Sequence, residues 1–429
     1  MNPAETGPND PARMASTRAA PILVYGGGLA QGLALVSFPA ASSILTSPTG
    51  YGLSTGQYGL MFLPQVLLAI TAAAMSPVWA RRWSLRRVLQ AGLAANLVAM
   101  LLLVTSQFVS TSAAAYPILL CATAALGFGF GATVPALNTF AANLTPGRQD
   151  RSVLTLNALL GLGTALAPLL IAVFLAFDAW WLLPVLVAAG LVGFLAAALR
   201  VPLDAGPVAD RSAAHDRKPG LPPRFWWYAA AVLLYGVCET LFGNWSSLYL
   251  TGERSLSAQS ASLALAAFWA FVTIGRILVA ALPARVPPTL VYLILPVLIA
   301  GANVAVSAAQ STATAVLAYG AAGLACSAVL PLSLSFAGRE FPRLGATSSG
   351  ELIAGYQVGY GITAFGVAPL IAVTGLAMSG IYLVGAAVAL ALVVVARFVT
   401  AGRAGSPHVT TPNVTAPHVP TKNEHHGKK

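Results

Sequence analysis

Two acidic side chains, Glu239 and Glu351, stand well inside long apolar stretches of a chain whose other ten Asp and Glu lie at the ends of such stretches or between them. An ionised carboxylate at mid-bilayer costs about 2.5 kcal/mol or more even on lenient insertion scales, so a carboxyl in such a place is a functional candidate. Glu239 begins ~14 residues into its stretch, or ~21 Å at 1.5 Å per residue, past the middle of a ~30 Å hydrocarbon core. The chemistry available there is reversible proton loading, and Glu239 is the first candidate for proton coupling. Glu351, ~5 residues into its own stretch, is within snorkelling reach of the interface. Arg276 sits at similar depth and needs an acid if it is buried. The pair Arg276–Glu351 is therefore expected as a gate or structural ion pair, with Glu351 the second candidate proton carrier.

The groups that suit a solute are neutral. Tyr235, Glu239 and Phe242 share one helical face by i, i+4, i+7 spacing, with Asn244 and Trp245 a turn onward. Other apolar stretches offer Tyr25 and Gln31, Asn138, Asn157, and Tyr356, Gln357 and Tyr360. Asn and Gln amides present donor and acceptor together, matching hydroxyls, and Tyr and Trp rings can stack on the apolar face of a sugar. This set is expected to bind a small, neutral, polyol-like solute. Amides that join helices and aromatics that belong to interfacial belts are the competing readings, and Trp226 and Trp227 are read as belt.

These residues must be positioned by elements that live in lipid. The chain has 429 residues, 57% hydrophobic and 8% charged, against roughly 25% charged in an ordinary globular protein. Too little polar surface remains to cover a soluble protein of this length. The net charge of +11 could by itself suggest nucleic acid or an anionic surface; its placement argues for topology, and no nucleic-acid partner is expected. Cys121, Cys238 and Cys326 lie in apolar runs without CxxC or Cys/His spacing, so neither a disulfide framework nor a metal is expected, and no cofactor. The five His all fall outside the apolar stretches, which removes a histidine relay. Gly26-Gly27-Gly28 lacks the preceding strand and following Lys of a phosphate loop and is read as a packing device. No removable signal peptide is recognised at the N-terminus.

Stretches long enough to span a bilayer occur at 21–46, 57–80, 88–107, 116–142, 152–176 and 180–200, then at 225–250, 257–282, 289–309, 313–337, 346–374 and 377–400. The last two are divided at Gly375. With twelve spans, 22 of the 23 Lys and Arg fall on one side and Arg254 alone on the other. The positive-inside rule then places both termini in the cytoplasm, in a multi-pass protein of the cytoplasmic membrane. The expected organisation is a cytoplasmic tail 1–20, a six-helix bundle 21–200, a polar, proline-bearing cytoplasmic linker 201–224, a second six-helix bundle 225–400 and a disordered cytoplasmic tail 401–429. The halves echo one another: Val134-Pro135-Ala136-Leu137 beside Val329-Leu330-Pro331-Leu332, and Ala167-Pro168-Leu169 beside Ala368-Pro369-Leu370. An internal repeat of this kind places a solute path between the halves near the midplane.

This organisation resembles the major facilitator superfamily: six plus six helices, a central cytoplasmic linker and internal termini. The family signature between the second and third helices, Gly-x-x-x-Asp-Arg-x-Gly-Arg-Arg, is met here by Pro77-Val78-Trp79-Ala80-Arg81-Arg82-Trp83-Ser84-Leu85-Arg86-Arg87. The cluster Arg81, Arg82, Arg86 and Arg87 is kept, while Arg81 takes the acidic place and Ser84 that of the second Gly. Glu239-Thr240-Leu241-Phe242-Gly243-Asn244-Trp245, Phe268-Trp269 with Gly275-Arg276, and Gly127-x-Gly129-x-Gly131 leading to Pro135 and Asn138 resemble the fucose–proton symporter and related sugar-permease branch. That branch implies membrane carboxylates in the first half, and this first half has none.

The fold class expected is thus an all-α membrane protein of two six-helix bundles related by a pseudo-two-fold axis. The function expected is secondary active transport, proton-coupled symport of a sugar-like solute by alternating access, by a monomer in the bilayer and without enzymatic activity. Proton-antiport export of amphiphilic or drug-like metabolites is the main alternative. A non-transporting receptor or lipid-handling protein is the alternative of another class.

Overall fold

The computed structural model describes residues 11–144, 149–203, 221–283, 285–341 and 346–401. Much of the expected linker, 204–220, and of the C-terminal tail, 402–429, lies outside the described residues, as does the start of the N-terminal tail.

In the first half α1 (Pro11–Ala40) and α2 (Ser42–Thr46) form span 1, and α3 (Thr55–Leu60) and α4 (Phe62–Trp83) form span 2. Spans 3 to 6 are α5 (Leu85–Gln107), α6 (Ala115–Leu144), α7 (Gln149–Leu175) and α8 (Leu182–Arg200). In the second half spans 7 to 9 are α9 (Phe225–Gly252), α10 (Ala258–Ala280) and α11 (Pro288–Ala308). Span 10 is divided into α12 (Thr312–Cys326) and α13 (Val329–Glu340); spans 11 and 12 are α14 (Ala346–Thr374) and α15 (Met378–Thr400). Among the described residues twelve helical stretches are long and apolar enough to cross a membrane, and they coincide with the twelve expected. Gly375, at φ +69°, separates the last two, a left-handed turn that only glycine adopts without strain. Large apolar side chains such as Leu67, Leu154, Leu317 and Val373 are exposed along the spans, as lipid-facing residues must be.

The packing plan repeats between the halves. Span 1 packs on span 5 as span 7 packs on span 11; span 2 on 4 as 8 on 10; span 3 on 6 as 9 on 12. Each correspondence adds six to the span number, which is the pseudo-two-fold relation. Close approach is set by glycine. A Cβ on Gly163 would strike the Leu29 carbonyl between spans 5 and 1, and one on Gly359 would strike the Leu233 carbonyl between spans 11 and 7. Small residues at such crossings are how membrane helices, lacking a hydrophobic drive to associate, gain dispersion contact. Between the halves span 5 meets span 8, span 2 meets span 11, and span 1 meets span 7.

The chain turns between spans 2 and 3 at Ser84, φ 107° and ψ 149°. That is a region essentially reserved for glycine, at the place where the family signature has Gly. Ser84 compensates by accepting a hydrogen bond from the Arg87 amide at its hydroxyl. Of the arginine cluster, Arg81, Arg82 and Arg87 are exposed. Arg86 folds back and donates through Nε to the Ala198 carbonyl at 2.9 Å, tying span 3 to the end of span 6.

Candidate functional site

A cavity of about 70 Å³ opens between the halves. On the first-half side its wall is Leu35, Val36 and Pro39 of α1, Gln65, Val66 and Ala69 of α4, and Phe130 of α6. On the second-half side it is Glu239, Thr240, Gly243 and Asn244 of α9, Trp269 of α10, and Tyr356, Gln357 and Tyr360 of α14. One wall is apolar but for Gln65; the other carries the hydrogen-bonding groups. The volume admits a few waters and is small beside the roughly 300–1,000 Å³ of ligand pockets.

Glu239 is 4% exposed. Tyr235, one turn earlier on α9, donates to Oε1 at 2.6 Å. Tyr356 of α14 donates to Oε2 at 2.5 Å. Both carboxyl oxygens are thus held by phenol hydroxyls from two helices. Towards the face away from the arginine-rich loops, the Asn244 amide donates to the Tyr360 hydroxyl at 3.0 Å and Gln65 reaches the same hydroxyl at 3.4 Å. Tyr58 of α3 donates to the Asn244 carbonyl at 2.6 Å, and Trp245 donates to the Thr363 carbonyl at 3.0 Å. The Tyr58 and Trp245 rings meet edge to face at 5.4 Å. Polar contacts therefore seal the cavity on that face and join spans 2, 7 and 11.

Of the expected site residues, Glu239, Asn244, Tyr356, Gln357 and Tyr360 line the cavity, and Tyr235 reaches it through Glu239. The others are placed elsewhere. Gln31 is fully buried and accepts from the Asn96 amide at 2.7 Å, so it braces spans 1 and 3. Phe242 packs among Phe268, Tyr319 and Tyr382 in the interior of the second half. Trp245 serves the seal. Asn157 donates to Asn138 at 3.1 Å, a bond between spans 5 and 4. Tyr25 is half-buried against the core of the first half.

The expected Arg276–Glu351 pair is not formed. Arg276 donates through Nε to the Ser327 carbonyl at 3.2 Å, and Glu351 is exposed near the start of α14. The reason is local. Pro331 has no N–H to give the carbonyl four residues before it, and its ring would clash there. The Ser327 carbonyl at the break in span 10 is thus left needing a donor, and the guanidinium supplies one. Among the described residues the ion pair formed is Arg224–Glu340, where Glu340 also accepts from Tyr228 at 2.6 Å.

Gln65, Thr240 and Trp269 line the cavity and were not among the expected site residues. Thr240 adjoins Glu239, and Gln65 is a lone amide inside an apolar span, which is the same signal that marked Gln31.

A search of curated protein sequences finds no match. Among solved structures the chain is similar to a mutant of the nucleoside transporter NupG, at 14% identity and TM-score 0.71 over 90% of this chain and 99% of that one. It is similar to a mutant of the E. coli fucose:proton symporter FucP, at 15% and 0.60 over 90% and 99%. It is similar also to a D-xylose-proton symporter, at 14% and 0.66 over 89% and 97%. At these identities the likeness is one of fold. The family model of the Major Facilitator Superfamily matches residues 26–364, and with twelve spans in this packing the chain is a multi-pass membrane transporter belonging to the Major Facilitator Superfamily.

Proposed function

We propose that this transporter couples proton movement to the uptake of a small neutral hydrophilic solute, sugar- or nucleoside-like, with Glu239 as the proton carrier. The observation that carries this reading is the position of Glu239 on the cavity wall, a carboxyl held by two hydroxyls within hydrogen-bonding reach of whatever fills the space. Asn244, Gln357 and Gln65 offer paired donors and acceptors, and Trp269 offers a ring. The similar structures bear names of a nucleoside transporter and of fucose– and xylose–proton symporters, which agrees with this class of solute.

The arginine-rich face is taken as cytoplasmic, with both termini there. The seal at Tyr58, Asn244 and Trp245 then closes the outer face, and the halves rock about the site as two six-helix units. Glu351 keeps a lesser role at the inner rim, as an exposed carboxylate. The apolar first-half wall is the observation that favours the alternative, export of an amphiphile by proton antiport.

Purified protein in liposomes, challenged with radiolabelled monosaccharides and nucleosides under an imposed proton gradient, tests the reading. Concentrative, uncoupler-sensitive uptake along the proton gradient is expected. Glu239→Gln should reduce it to background while solute counterflow persists. Gradient-driven uptake unchanged in that variant would overturn the role of Glu239, and flux against the proton gradient's direction would select antiport.

A further inference from the structure

The hydroxyl of Tyr235 lies 2.6 Å from Glu239 Oε1 and 2.8 Å from the carbonyl oxygen of Cys326. Both neighbours are acceptors when Glu239 is ionised, and a phenol has one proton to give. With an ionised Glu239 the Tyr235 proton goes to the carboxylate, and the contact with Cys326 sets two oxygens together without hydrogen. With a proton on Oε1 every contact closes. Oε1–H donates to the Tyr235 oxygen, Tyr235 O–H donates to the Cys326 carbonyl, and Tyr356 still donates to Oε2. Buried polar groups strongly prefer such completion, because an orphaned one costs about 1–3 kcal/mol.

Cys326 is the last residue of α12, immediately before the break at Ser327 and Ala328. The adjoining Ser327 carbonyl already relies on Arg276. The broken segment of span 10 is therefore held by two side chains, a permanent cation and a hydroxyl whose proton depends on Glu239.

We propose that Tyr235 transmits the protonation of Glu239 to the break in span 10, holding it when the carboxyl is neutral and releasing it when the carboxyl ionises. This rests on Glu239 as the proton carrier and adds the element that responds. No covalent bond other than O–H changes: the proton enters Glu239 from cavity water and returns to it, and Tyr235 only redirects its own. The titratable or charged groups facing the cluster are Tyr356 and Tyr360 from α14, Cys326 from α12 and Arg276 from α10. On α9 itself Cys238 turns to the Gly385 carbonyl. The cavity-lining residues of α1 (Leu35, Val36 and Pro39) and the whole of α2 carry no titratable side chain. From α13 and α15, Glu340 and Tyr382 bond Arg224 and Tyr319 instead.

The test needs no solute, the probe being the proton. In full-length protein in liposomes, the infrared carboxylic C=O band assigned by Glu239→Gln is followed against pH. In parallel, amide hydrogen exchange is measured over residues 324–332 and corrected for intrinsic base catalysis. As the band disappears on raising the pH, exchange in wild type should rise roughly five- to tenfold, the worth of one net hydrogen bond, with the same midpoint. Tyr235→Phe should exchange fast at every pH while the band still titrates. Glu239→Gln, whose amide can donate to Tyr235 at all pH, should stay slow throughout. Tyr356→Phe should keep the pH-dependent rise, since the Tyr356 hydroxyl bonds Glu239 Oε2 and not the Cys326 carbonyl. A wild-type band that titrates with no change in exchange overturns the relay and leaves the proton carrier standing. So does Tyr235→Phe with the wild-type profile, or Glu239→Gln that loosens with pH like wild type. A band that ignores pH altogether overturns the carrier itself and the relay with it.

Discussion

The two halves of this transporter follow one packing plan and put their polar groups to different use. In the first half the membrane interior is joined by neutral side chains, Asn96 to Gln31 and Asn157 to Asn138, while near the arginine-rich face Arg86 and Gln90 donate to the Ala198 carbonyl. In the second half the corresponding depth holds a carboxyl clamped by Tyr235 and Tyr356, and an Arg224–Glu340 pair at the helix ends. The same proline tells the same story. Pro135 sits inside a continuous α6, whereas Pro331 follows a break that leaves the Ser327 carbonyl to Arg276. A fold duplicated in outline can thus place neutral bracing in one copy and a buried carboxyl in the other. The cavity between them inherits an apolar wall from the first half and a hydrogen-bonding wall from the second.

That contrast can be broken experimentally. If the discontinuity in span 10 is functional, Pro331→Ala restores an amide to the Ser327 carbonyl and should slow solute counterflow roughly tenfold, the kinetic equivalent of one net backbone bond. Pro135→Ala should leave counterflow within about twofold; equal effects would erase the distinction. In the scaffold half, Asn96→Leu strands the buried Gln31 and should destabilise the protein by about 1–3 kcal/mol. Thermal unfolding in detergent reads this, and ligand affinity should not move because neither residue lines the cavity.

Smaller effects sharpen the picture at the seal and at the loop. Tyr58→Phe removes the bond to the Asn244 carbonyl that joins spans 2 and 7, worth about 1 kcal/mol. It should shift the population severalfold towards opening on that face, as spin-label distances across it would show. Ser84→Gly relieves a backbone conformation that costs on the order of 1–3 kcal/mol and gives up one weak cap. A net gain of about 1 kcal/mol in unfolding stability is expected, with transport unchanged.

Most of the architecture was legible along the chain because lipid imposes it locally. A span must be about 20 apolar residues and satisfy its own backbone, so the twelve spans, the turn at Gly375 and the sorting of arginines could be read without tertiary information. The depth of Glu239 was legible for the same reason, since a carboxyl stands out in a segment of that composition. The choice among neutral groups was not. Gln31 and Gln65 look alike in sequence, each a lone amide in an apolar helix. Rotation about the helix axis sends the first to Asn96 and the second to the cavity.

The sequence by itself determined the number and order of the helices and the presence of one deep carboxyl, since each depends on the composition of a single segment in a low-dielectric slab. Only the tertiary structure decided the partners. That Arg276 serves a proline-freed carbonyl in place of Glu351, and that Tyr235 stands between Glu239 and Cys326, follows from how helices 7, 8, 10 and 11 are turned against one another. Hydrogen bonds act over about 3 Å, and no periodicity along the chain resolves a rotation at that scale.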